Sequence, residues 1–526
     1  MTVEDVKAAL GATEEGSRSK VAIQIIAGEL PAAADQAEAA LRASGAGPIF
    51  QRAGQLVHIA ERPARRNDGS TDQQQAIVAI DPPALAEQLA KAAGFEKFDA
   101  RQKDWRTIDP PVKLIDLYFA RSCWRLPDLH QLIGAPTLRT DGSVLARPGY
   151  DPETGLYLLA DLLDLTVPDK PSYRQAEAAN EALTAMFSSF PLVDEPPGLA
   201  LGVALAGLVG AVLRPTLPAC PLIGVTAPAA GTGKSYLVDL ISIIATGRRA
   251  AGVATGSKPE EFEKSLGAAL LEGRPLLCLD NMVQPLAGQM LCMTLSQERV
   301  AVRILGQSRS VEVPSAAGLF ATGNNLTIRG DMARRTLLCR LDAGVEYPED
   351  RAFDSDILAE ARRRRGELVS AVLTIAKWHQ MHRNPTPLAG RRFAGYETWC
   401  ERVRDPLLAL GHRDPVEALD VTRAADVEGV RLATIMDQWE AAFGDMSKTC
   451  SEAIKEASER DSYGEIRNTE LCEALAGATG DRSGMISARK LSHYLARHEG
   501  RIIDGRRFQR DGERAKVVTW RLCKTP

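Results

Sequence analysis

TAPAAGTGKSYLVDL, residues 226–240, carries most of the phosphate-loop pattern G-x-x-x-x-G-K-[ST]. Gly233, Lys234 and Ser235 stand in their places, and Pro228 replaces the first glycine. The chemistry of such a loop is phosphate binding. Successive backbone N–H groups and a helix N-terminus wrap the anion, and glycines let the backbone come close. Gly231 and Gly233 supply that freedom. Lys234 is placed to reach the β- and γ-phosphates of ATP, and the Ser235 hydroxyl to bind Mg²⁺. The run Ala230, Gly231, Thr232, Gly233, Lys234, Ser235, Tyr236 is therefore expected to contact the nucleotide. Pro228, with φ near −65°, fits the exit from a strand if that position needs no positive φ.

Two further runs bear on the same chemistry. LLCLDN, 276–281, is an apolar run ending in Asp280, 46 residues after Lys234. It reads as a strand whose terminal carboxylate holds the Mg²⁺ shell. The next position usually carries a glutamate that polarises water; here it is Asn281, which orients water without acting as a base. The helix upstream offers Glu260 and Glu261 as substitutes, with a solvated helix face as their plainer role. AAGLFATGNN ends in Asn324 and Asn325, and a polar residue at a strand tip suits a γ-phosphate sensor. GDMARRTLLCRLD follows, with Arg334, Arg335 and, further on, Arg340. Arg335 is the first choice for an arginine finger reaching a neighbouring subunit's nucleotide.

These residues need particular elements to hold them. PLIGVTA, 221–227, is an apolar run of strand length. Leu237, Leu240, Ile241 and Ile244 follow at helical spacing, ending near Gly247. Strand, loop and helix thus occur in the required order. Residues 191–350 alternate strand and helix as an α/β domain does. Around it the sequence predicts a small mixed domain over 1–110, a β-rich connector and helix over 111–190, a helical segment over 351–450, and a distinct C-terminal domain over 455–526. Within the first, Ala33–Ala43 and Pro83–Ala93 read as helices, IFQRAGQLVHIAE as a hairpin, and the polar stretch 61–75 as a loop. The arginines of RRRRG, 362–366, read as a solvated helix face.

Composition narrows the class. The chain has 526 residues, 45% hydrophobic and 25% charged, with a net charge of −4, which fits a globular protein of several domains. A mildly acidic chain does not advertise nucleic-acid binding, so any basic surface must be local. Nine scattered cysteines without a C-x-x-C pair argue against structural zinc and a disulfide framework, and fit the cytoplasm. The N-terminus shows no secretory signal. GLALGVALAGLVGAVL, 198–213, is uncharged but Gly- and Ala-rich, and reads as a buried helix on a sheet, so no membrane is implied.

Taken in order, GTGKS, LLCLDN, ATGNN and D-x-A-R-R resemble the AAA+ helicase module of phage- and mobile-element-type DNA primase/helicase proteins, which are related to superfamily 3 helicases. GYETWCERVRDPLLALGHRDP, 395–415, and PTLRTDGSVLARPGYDPETGL upstream are also similar to segments of that group. The resemblance spans roughly residues 115–415. It implies a P-loop NTPase (AAA+) core, ATP and Mg²⁺ as cofactors, DNA as substrate, a homo-oligomeric ring such as a hexamer, and other replication proteins as partners. An Asp-Asn pair is ordinary at the position of Asp280 and Asn281 in that group. No priming signature is evident in the N-terminal region. RVAVRILGQSRSVEVP, 299–314, alternates around Gly306-Gln307 as a hairpin does. By resemblance such a hairpin enters the ring pore and tracks DNA, with Arg303 and Arg309 as contacts.

The tail is the stronger electrostatic case. Residues 481–526 hold twelve Lys/Arg against five Asp/Glu. Two short helices followed by two strands around a basic turn outline a winged helix. Arg489, Lys490 and Arg497 fall on the second helix, and Arg507, Arg510 and Arg514 on the wing. Cations so placed bind phosphate by counterion release, although a winged helix can equally dock a protein. Three readings stay open from sequence: a replication helicase, an AAA+ remodelling or defence ATPase with a protein substrate, and a DNA-binding initiator with a decayed ATP site.

Overall fold

The computed structural model describes residues 20–44, 48–65, 71–121, 123–159, 163–256, 259–304, 309–351, 355–382, 392–424, 427–460, 465–479, 485–514 and 517–524. The N-terminal residues in which a signal was sought, and the hairpin tip Gly306-Gln307, lie outside them. The chain divides into two compact units. One comprises Met1–Val283, Gly288–Leu326 and Cys339–Val416; the other comprises Gln284–Ala287, Thr327–Leu338 and Glu417–Pro526.

The first unit opens with β1 (Val21–Gln24), α1 (Leu30–Ala43), β2 (Ile49–Arg52), β3 (Gln55–Arg65), β4 (Thr71–Ala79), α2 (Pro82–Ala92), β5 (Ala93–Asp99), β6 (Asp104–Ile108) and α3 (Val112–Ala120). They form two three-stranded sheets, β1-β5-β6 and β2-β3-β4. Ile23, Leu85, Phe95 and Leu114 share one core with the helices. The expected hairpin is β2–β3, which turns at Ala53 and Gly54, both at positive φ. The polar stretch 61–75 is not simply a loop: β3 and β4 pair from Val57↔Ala79 out to Arg65↔Thr71. A backbone ladder needs no apolar side chains, so composition alone misreads such a segment. The connector holds β7 (Gln131–Ile133), β8 (Thr137–Leu138), β9 (Val144–Leu145), β10 (Gly149–Asp151) and β11 (Leu156–Leu158), then α4 (Tyr173–Ala185). Ser172 and Gln175 close a capping box at the start of α4.

The core begins with α5 (Leu199–Leu213), β12 (Leu222–Ala227), α6 (Lys234–Thr246), β13 (Ala251–Gly252), α7 (Pro259–Leu271) and β14 (Leu276–Leu279). It continues with α8 (Gln289–Ser296), β15 (Arg299–Arg303), β16 (Ser310–Pro314), β17 (Gly318–Asn324) and β18 (Thr336–Arg340). The five-stranded sheet runs β13-β14-β17-β12-β18, with β13, β14, β17 and β12 mutually parallel. Among the described residues one helix, Leu199–Thr216, is long and apolar enough to cross a membrane, and 78% of it is buried inside the fold. At Gly207 its backbone rides over Ile223, Phe320 and Ile241, which makes it a core helix against the sheet.

Helices α9 (Ile357–Arg363) and α10 (Arg365–Met381) follow. The arginine run is not all solvated, because Arg365 is buried. Its guanidinium donates to Ile244 O at 3.1 Å and Gly134 O at 2.6 Å, capping the end of α6. In the 395–415 segment, Arg404 and Asp414 form a buried two-pronged pair at 2.8 and 2.5 Å.

In the second unit α11 (Val427–Phe443), β19 (Lys448–Thr449), α12 (Cys450–Ala457), α13 (Thr469–Thr479), α14 (Ala488–Arg497), β20 (Arg506–Arg514) and β21 (Val517–Lys524) enclose one core. Its strands pair in the order β19-β21-β20. Trp439 of α11 stands edge-on to Phe508 of β20, with ring centroids 5.2 Å apart.

Candidate functional site at the carboxyl ends of the parallel strands

In parallel α/β sheets, ligands bind beyond the carboxyl ends of the strands. Three of the sequence motifs converge there. β12 leads into the loop 228–233, and Gly233 at φ 100° caps α6. Gly231 stands at φ 72°, so both glycines occupy conformations that other residues resist. Pro228 is not among the positive-φ positions, which is why a proline is tolerated where the pattern has glycine.

Lys234 is 8% exposed, and its Nζ donates to Ala229 O at 2.8 Å. Thr232 Oγ1 donates to the same carbonyl at 2.9 Å. Burial holds the Lys234 ammonium below its usual range, against the opposing pull of Asp280. Ser235 Oγ donates to Asp280 Oδ1 at 2.7 Å, which joins the start of α6 to the end of β14. The register sets Ala321 beside Leu279 and Asn324 beside Ala227, so β17 runs between the two motif strands. Asn324 is exposed at its tip, and the Asn325 N–H donates to Ala227 O at 3.0 Å. Tyr236 is half-exposed, and its hydroxyl donates to Asp356 Oδ1 at 3.0 Å. Ala230 is exposed in the loop 228–233.

Sequence reading passed over three residues. Thr322 of β17 is 1% exposed and donates to Asp280 Oδ1 at 2.6 Å. Asp239 lies one helical turn after Ser235; burial and the Asp280 charge raise its carboxyl above the usual range, against the Ala250 N–H and Arg249. That i,i+4 spacing was legible in KSYLVDL. Glu349 presses on the loop from outside, with Oε2 2.7 Å from where a Cβ on Gly231 would sit. Glu260 and Glu261 are exposed in the first turn of α7 and make no hydrogen bond to the loop or to Asp280 among the described residues.

The remaining residues lie elsewhere. Arg334 and Arg335 belong to the second unit and both bond Asp331, Arg335 at 2.8 Å. Burial alone would raise the Asp331 carboxyl, but these two arginines hold it below its usual range. Arg340 is exposed at the end of β18. β15 and β16 form the expected hairpin, with Arg303 exposed on its stem and Arg309 donating to Gly54 O at 3.3 Å. In the second unit, Arg489, Lys490 and Arg497 are exposed on α14. Arg507 is half-buried. Arg510 pairs with Glu499 at 3.1 Å and lies over the Trp520 ring, and Arg514 pairs with Glu452 at 2.9 Å. Arg506 meets Asp437 and Glu440 at 2.6 and 2.9 Å.

No protein family and no curated protein matches the chain. Solved structures do. The apo C-terminal region of NrS-1 is 12% identical over 84% of this chain and 99% of its own, with a TM-score of 0.35. The active helicase Cch of SCCmec type IV is 11% identical over 91% of this chain and 98% of its own, with a TM-score of 0.31. JCV helicase is 11% identical over 50% of this chain and 70% of its own, with a TM-score of 0.22.

Proposed function

We propose that this chain is an ATP-hydrolysing DNA helicase, or a helicase-like replication ATPase, of a phage or mobile element. The observation that carries the reading is the meeting of Lys234, Ser235 and Asp280 at the ends of parallel strands, with Ser235 Oγ 2.7 Å from Asp280 Oδ1. A hydroxyl and a carboxylate are hard oxygen donors and fit Mg²⁺. That ion supplies charge neutralisation at the phosphates. The backbone N–H groups from Gly231 to Ser235 cradle phosphate. Lys234 exchanges the Ala229 carbonyl for a phosphate oxygen. Asn281 and Asn324 orient water at the γ-phosphate, and Arg335 serves a neighbouring subunit's nucleotide.

The Arg303 and Arg309 hairpin and the basic face of α14 are the proposed DNA contacts. For the second unit a protein-docking reading also has an observation in its favour, since Arg506, Arg510 and Arg514 are already matched by acids of the same unit. The decisive experiment is ATP hydrolysis with and without single-stranded DNA, followed by unwinding of a forked duplex. Stimulated hydrolysis and unwinding are expected. Absence of ATP binding at millimolar nucleotide would sink the helicase reading, and hydrolysis indifferent to DNA would favour a protein substrate.

A further inference from the structure

β17 is an apolar strand with one hydroxyl in its buried stretch. GLFATGN packs Leu319, Phe320 and Ala321 into the core, and Thr322 is as deeply buried as they are. A threonine in a strand needs no special reason, because β-branched residues suit the pleat. This one spends its hydroxyl on the neighbouring strand end. Its Oγ1–H donates to Asp280 Oδ1 at 2.6 Å, and the same oxygen accepts the Asn281 N–H at 2.9 Å. Its carbonyl accepts the Met282 N–H at 2.7 Å. One residue of β17 therefore grips three consecutive residues after β14. Asn281, at the centre of the grip, is held at φ 51°, a conformation open to asparagine but costly to most residues.

The consequence falls on the carboxylate. Oδ1 of Asp280 receives two donors, Ser235 and Thr322, while no hydrogen-bond donor reaches Oδ2 among the described residues. A carboxylate pinned through one oxygen has its rotamer fixed and its other oxygen unclaimed. Losing a group that orients a metal-binding carboxylate in this way typically costs about 10–100-fold in metal affinity or activity.

We propose that Thr322 is a positioning residue for nucleotide-bound Mg²⁺, fixing Asp280 and Asn281 from the strand that also carries Asn324. The proposal rests on the ATP-hydrolysing reading above. Thr322→Val keeps the volume and strand preference and removes both hydroxyl bonds; Thr322→Ser restores them.

The test measures binding of a fluorescent ATP analogue to the full chain in EDTA and in Mg²⁺, alongside DNA-stimulated hydrolysis. In Thr322→Val, affinity in EDTA should match wild type. The Mg²⁺-dependent gain in affinity should shrink and kcat should fall, each by roughly 10–100-fold, the usual effect of losing a residue that orients a metal ligand. Thr322→Ser should recover both. Thr322→Val with wild-type Mg²⁺ dependence and kcat overturns the proposal. So does equal loss of affinity in EDTA and in Mg²⁺, which marks a general packing defect. If Thr322→Val does not fold, Thr322→Cys, with a weaker donor of similar size, is read by the same two criteria. A wild type that binds no nucleotide overturns the ATPase reading itself and is established before any variant is compared.

Discussion

Pro228 and Gly231 share one loop and answer to different constraints. Pro228 is exposed, and its position demands no positive φ. Pro228→Gly should leave ATP affinity within about twofold of wild type, because only unfolded-chain freedom changes. Gly231 stands at φ 72° with Glu349 Oε2 2.7 Å from a would-be Cβ. Gly231→Ala should cost about 1–2 kcal/mol in backbone strain alone, before any clash with Glu349. Equilibrium nucleotide titration of the two variants checks both expectations. Equal affinities would mean that the loop relaxes freely. Lys234→Ala should abolish nucleotide binding in the same titration, since Lys234 is the cation buried in the loop.

At the scale of elements, electrostatic pairing separates α14 from the β20–β21 hairpin. Arg489 and Lys490 are exposed on α14 without an ion pair among the described residues, whereas Arg510 and Arg514 are paired within their unit. Arg489→Ala with Lys490→Ala should lower the slope of duplex affinity against salt by about 1–2, one released counterion per lost phosphate contact. Arg510→Ala should leave that slope nearly unchanged, as fluorescence anisotropy across a salt series would show. Arg365→Met should destabilise the first unit by about 2 kcal/mol, because it strands the carbonyls of Ile244 and Gly134; chemical denaturation reads this directly. The elements themselves were largely legible. β12, β14 and β17 are apolar runs bounded by Gly, Pro or Asn, and α6 shows helical spacing with Gly247 as its stop. What stayed hidden were single polar groups whose partners are remote in sequence. Thr322 looks like an ordinary strand residue, and Arg365 sits in a run of four arginines with nothing in the sequence to set it apart. Only the register that lays β17 beside β14, and the packing of α10 on α6, gives each its role.

For the molecule as a whole, the C-terminal part of the second unit, from α11 to β21, can be removed only at the right place. Trp439 and Phe443 are buried in a core that includes Phe508 and Trp520. A chain ending at residue 454 would expose them and should aggregate, whereas one ending before Val427 should stay dispersed and keep nucleotide binding, as size-exclusion chromatography and titration would show. The proposed ring makes a further demand, because a head-to-tail interface closes a site with residues of two subunits. Arg335→Ala should bind ATP normally and hydrolyse it about 10³–10⁵-fold more slowly. Mixed with Lys234→Ala subunits it should regain activity, since some interfaces then pair an intact loop with an intact arginine. No recovery in rings shown to be mixed would exclude Arg335 as the trans-acting group and direct the test to Arg334 and Arg340.

Arg214 anchors the root of the β15–β16 hairpin. It is 2% exposed just after α5, and its guanidinium holds Ser315 O and Ala317 O, where the hairpin passes into β17, together with Leu217 O three residues on in its own segment. A strand grasped at its root by two bonds from a buried guanidinium cannot slide lengthwise without stranding a buried charge. The root of the hairpin is thus anchored where β17, the strand that carries Thr322 and Asn324, begins.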